Sequence, residues 1–73
     1  MAELKVLYDQ SGNTLTVWFG SPEDEHTCEE TGEEIILIKD KSGQIIGFEK
    51  LNYVDSESDD VSVAFERLPP KTA

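Results

Sequence analysis

The chain has 73 residues, of which 16 are Asp or Glu and six are Lys or Arg, a formal charge of −10. That length holds one domain at most, with a core of little more than one layer. The acidic balance argues against duplex nucleic acid and anionic membranes, both of which attract Lys and Arg. The lone Cys28 excludes an internal disulfide.

The opening run MAELKVLYDQ lacks the basic start and the apolar core of roughly 7–15 residues that mark a secretory signal. No run approaches the ~18 apolar residues of a membrane-crossing helix. With a single cysteine, this predicts a cytoplasmic protein.

The first predicted element is a strand. In ELKVLY, Leu4, Val6 and Tyr8 alternate with Glu3, Lys5 and Leu7. In TLTVWF, Leu15, Val17 and Phe19 alternate with Thr14, Thr16 and Trp18, which predicts a second. DQSGN, Asp9 to Asn13, lies between them. Asp can bond backbone N–H groups two residues on, and Gly accepts positive φ, so the five residues read as a hairpin turn. Residues 3–8 are therefore expected to pair antiparallel with 14–19.

SPEDEHTCEET follows the Gly20-Ser21-Pro22 breaker. Structural zinc sites draw four ligands from paired Cys and His. Here His26 and Cys28 stand alone, so no metal site and no cofactor is assigned. A nucleophilic cysteine needs a cation or helix N-terminus to lower its pKa. Cys28 is surrounded by carboxylates instead, so no catalytic residue is assigned either. The segment reads as a solvated, charged connection between hairpins. Glu23, Asp24 and Glu25 are its candidate partner contacts.

EEIILIKD is a short continuous apolar run, read as a strand covered at least partly on both faces. DKSGQ, Asp40 to Gln44, repeats the earlier turn, and QIIGFEKLNYV returns as a strand in which Gly47 signals a bulge or a close contact. Residues 34–40 are expected to pair with 44–51. The calcium reading of the two acidic turns fails for want of EF-hand spacing. VSVAFERL is read as a fifth strand from the alternation of Val61, Val63 and Phe65. A helix stays open, because Val61, Ala64, Phe65 and Leu68 also share one helical face and Ser56 with Asp59 could cap it. Pro69-Pro70 ends the element.

The expected fold is mainly β, or α+β if the last element is a helix: a small antiparallel sheet of four or five strands built from two hairpins. One domain would span 1–68, with a disordered tail over 69–73. Leu4, Val6, Leu15, Val17 and Phe19 would share one face, with Leu7, Trp18, Ile36 and Ile38 on the other. A single small sheet covers both only by curling or by meeting a partner. A homodimer is thus expected, with Trp18 buried at or beside its interface.

The order of these motifs resembles the YuzE-like family of short bacterial proteins, a domain of unknown function. The likeness rests on Tyr8-Asp9, TLTVWF, the Glu-rich segment before Ile35 to Asp40, the second turn, and Gly47-Phe48-Glu49-Lys50-Leu51. It covers about residues 4 to 54, and NYVDSESDDVSVAFERL departs from the family pattern. The resemblance implies a small β-rich fold and no established activity.

Three functions fit these readings. The first is a non-enzymatic interaction module that associates with itself. The second is an acidic antagonist, of the antitoxin kind, that neutralises a basic protein. The third is a weak metal or small-ligand binder using the acidic loop over 23–34.

Overall fold

The computed structural model describes residues 2–55 and 60–71. Five strands form one antiparallel sheet: β1 (Lys5–Asp9), β2 (Thr14–Trp18), β3 (Thr27–Glu30), β4 (Ile35–Lys39) and β5 (Ile45–Leu51), in the spatial order β1-β2-β5-β4-β3. Among the described residues the one helical element is a 3-10 turn, Pro22–Asp24.

Both expected hairpins form. β1 meets β2 with Lys5 opposite Trp18 and Asp9 opposite Thr14. β4 meets β5 with Ile35 opposite Lys50 and Ile38 opposite Gly47. The hairpins join through β2 and β5, where Val17 faces Phe48 and Trp18 faces Gly47. The longest strand, β5, is thereby the middle of the sheet. Lys39 pairs with Ile45, so Ile46 is the extra residue of a bulge. Its carbonyl accepts two bonds, from Phe19 N–H at 3.0 Å and Gly20 N–H at 2.9 Å.

The two turns share a spelling but not a backbone. In the second, Asp40 Oδ1 accepts from the N–H groups of Ser42 and Gln44, both at 2.9 Å, and Gly43 takes φ +89°. In the first, Asp9 Oδ1 accepts from Ser11 N–H at 3.1 Å, but the positive φ falls on Asn13, at 53°. Asn tolerates this region better than most residues. Its side chain then reaches across the sheet end: Asn13 Nδ2 donates to Val54 O at 2.8 Å and Asn13 Oδ1 accepts from Val54 N–H at 3.0 Å.

Two expectations need correction. The acidic segment is not wholly a loop, because Thr27–Glu30 pairs with β4 as an edge strand, Cys28 opposite Ile38. Every residue of β3 is exposed, so its main-chain ladder holds it, and no buried side chain marks it in the sequence. The fifth strand is therefore β3 and not residues 61–68, which are neither strand nor helix. Phe65 is 77% and Leu68 78% exposed, so this apolar stretch has no surface against it to stabilise either form. Ser56 and Asp59, the suggested cap, lie outside the described residues, as do Thr72 and Ala73 of the suggested tail.

Strand register sorts the side chains into two faces. One, the Trp18 face, carries Leu7, Thr16, Trp18, Ile36, Ile38 and Glu49. The other, the Val17 face, carries Val6, Tyr8, Leu15, Val17, Ile35, Leu37 and Phe48. Leu4 and Phe19, expected among the latter, lie just outside the strands and are about half exposed. The buried cluster comprises Trp18, Ile38 and Ile46, at 8%, 5% and 9% exposure. Every apolar residue of the Val17 face stays partly exposed. Trp18 is covered within one chain, and among the described residues the Val17 face has no second layer against it.

Candidate functional site

The Trp18 face forms a concavity of about 380 Å³ lined by Leu7, Thr16, Trp18, Glu25, Cys28, Ile36, Ile38 and Glu49. All five strands contribute to it. Period-2 alternation brings Leu7 from β1, Thr16 and Trp18 from β2, and Ile36 and Ile38 from β4 onto one side. Gly47 between Trp18 and Ile38 leaves room for the indole. A Cβ there would sit 3.1 Å from Trp18 Cε3 and 2.7 Å from Val17 O.

The polar groups of the concavity bond one another. Thr16 Oγ1 donates to Glu49 Oε2 at 3.3 Å across β2 and β5. The Cys28 thiol donates to Glu25 Oε2, also at 3.3 Å, where β3 meets the rim. That bond, with lesser help from desolvation and from the charges of Glu25 and Glu49, pushes the Cys28 thiol above its ordinary value. A thiol held protonated is a poor nucleophile. His26 points elsewhere, with Nδ1 3.1 Å from Thr27 Oγ1. Among the described residues no three His, Cys, Asp or Glu side chains converge as a metal ion would require.

Of the residues singled out in the sequence, Leu7, Trp18, Ile36, Ile38 and Glu25 meet around this one concavity. Glu23 and Asp24 do not. They lie in the 3-10 turn and, with Glu25, His26, Asp40, Lys41 and Ser42, line a more open hollow of about 450 Å³. Sequence reasoning missed Thr16 and Glu49. Thr16 is in phase with Trp18, so the alternation already held the signal for it. Glu49 lies opposite both Thr16 and Ile36, and its phase on β5 depends on the bulge at Ile46, whose register the sequence did not show.

A family model described as a protein of unknown function, DUF2283, matches residues 5–53. The chain belongs to the DUF2283 family. The match spans all five strands and stops at Tyr53, so the DUF2283 region is the sheet itself, and residues 60–71 lie beyond it. This agrees with the resemblance read from the motifs in its extent and in its lack of an assigned activity; the DUF2283 description carries no YuzE-like label. No curated protein and no solved structure matches the chain. Among the described residues of this DUF2283 chain, no helix is long and apolar enough to cross a membrane.

Proposed function

We propose that this DUF2283 chain is a non-enzymatic, cytoplasmic protein-interaction module whose first partner is a second copy of itself. One observation carries the reading: apolar side chains line both sides of a single open sheet, yet the buried cluster holds only three of them among the described residues. A lone layer leaves its apolar side chains in water, at a cost of about 25 cal/mol per Å² relative to burial. Light scattering across a concentration series, with capture from native lysate, tests this. Growth of the mass toward two chains supports it. A monomer at every concentration that captures nothing ends it.

A second reading is favoured by the acidic hollow, where the Glu23–Asp24–Glu25 turn meets Asp40. Four carboxylates around one depression would steer a basic protein toward it, as expected of an acidic antagonist. The association rate would then fall steeply above ~0.1 M salt, and Glu23→Gln with Asp24→Gln would reproduce the fall at low salt. Binding indifferent to both removes this reading.

A further inference from the structure

We infer that the surface joining two copies is the Val17 face, stacked on its own two-fold image to make a two-layer β-sandwich. The inference rests on the self-association reading above and names the surface that carries it.

Area gives the first argument. The chain exposes 6227 Å². A compact monomer of 8.2 kDa exposes about 4,500 Å², so roughly 1,700 Å² stands in excess. Its radius of gyration is 14.6 Å, where a compact chain of this length has about 11 Å. Obligate homodimers bury about 1,000–2,500 Å² on each copy. Part of the surplus is the exposed stretch 60–71, where Phe65 is 77% and Leu68 78% exposed; the rest lies on the open sheet, whose Val17 face has no second layer among the described residues.

Charge selects the face. On the Val17 side Lys39 pairs with Glu29 at 2.9 Å, and Lys50 reaches Glu34 at 3.3 Å. Both lysines are neutralised locally, so this side can meet itself although each copy carries −10. The Trp18 side sets Asp9, Glu30 and Glu49 against Lys5 alone, an acidic surplus that would repel its own image.

Shape agrees. Val6, Val17, Phe48 and Leu37 form one continuous cross-strand row over β1, β2, β5 and β4; the next row is Tyr8, Leu15, Lys50 and Ile35, with the Lys50 ammonium drawn to Glu34 at the margin. Facing rows of this kind interdigitate at about 10 Å between sheets. On the other side Trp18 and Ile38 are already covered within the chain.

The test uses the full chain. A mixture of isotope-labelled and unlabelled protein is examined for intermolecular NOEs, beside sedimentation equilibrium of Leu37→Lys and Leu7→Lys. Intermolecular NOEs at Val6, Val17, Leu37 and Phe48, with Leu37→Lys weakening the dimer about tenfold or more and Leu7→Lys leaving it, support the inference. The NOEs come from the unsubstituted chain and decide the matter even if Leu37→Lys fails to fold. A dimer whose NOEs fall on Leu7 and Ile36 overturns the face but keeps self-association. A monomer with NOEs from Phe65 to Phe48 within one chain overturns both, because the C-terminal stretch then covers the sheet.

Discussion

The indole of Trp18 occupies the space that a side chain at Gly47 would fill. The two are direct cross-strand partners on β2 and β5, and a Cβ on Gly47 would approach Trp18 Cε3 to 3.1 Å and the Val17 carbonyl oxygen to 2.7 Å. The carbonyl belongs to the backbone and cannot turn aside. Gly47→Ala is expected to destabilise the sheet by about 1–3 kcal/mol, the usual cost of overpacking. Chemical denaturation monitored by Trp18 fluorescence measures it, and an unchanged midpoint contradicts the packing.

Asn13 does two things at once: it takes a φ of 53° and clasps Val54 through two hydrogen bonds. The substitutions Asn13→Gly and Asn13→Ala separate these. Gly keeps the conformation and loses the clasp, for about 1 kcal/mol. Ala loses both, and its destabilisation should be larger by about another 1 kcal/mol. Equal losses in the two variants would mean that the backbone conformation carries no strain.

Cys28 is exposed yet its thiol is held protonated, chiefly by the bond to Glu25. Iodoacetamide should therefore modify it more slowly at pH 8 than a free cysteine, although nothing covers it. Glu25→Ala should raise that rate severalfold. A wild-type rate already equal to that of free cysteine would show that the bond is not populated in solution.

The Asp40 carboxyl is held below its ordinary value, first by the Ser42 hydroxyl and then by the Gln44 amide. Glu34 is held down by Asn52 and then by Lys50. A depressed folded-state value means that the unfolded chain takes up the proton first as pH falls. Stability from both groups is then complete at neutral pH and fades as pH falls through their folded-state titrations. Asp40→Asn should be less stable than wild type at pH 7, with the difference shrinking in acid. A difference that stays constant with pH would place the effect elsewhere.

The hairpins were legible because apolar and polar residues alternate around Val6 and Val17 and because the run Ile35 to Ile38 is continuously apolar between two turn signals. The strand Thr27–Glu30 was not legible, because an edge strand with four exposed residues is held by main-chain bonds that any sequence can make. The residues of the Trp18 concavity were largely legible, since Leu7, Trp18, Ile36 and Ile38 share a phase. The burial of Trp18 within a single chain was not foreseen. Alternation shows that two residues lie on one side of a sheet, but not how far that side closes over them, and the space at Gly47 decided the burial of Trp18. The stretch over 61–68 fits two periodicities at once, so its pattern did not select a structure.

The placement of acid at one margin of the sheet bears on how far assembly can run. An open sheet with two bare margins can add copies end to end without limit, β1 of one against β3 of the next, and so grow into a fibre. Here that contact would set Glu3 and Asp9 of one copy beside Glu29 and Glu30 of another, with Glu33 and Glu34 close by. Each added copy would meet the same repulsion, so acid on β3 weighs against open-ended growth through this margin.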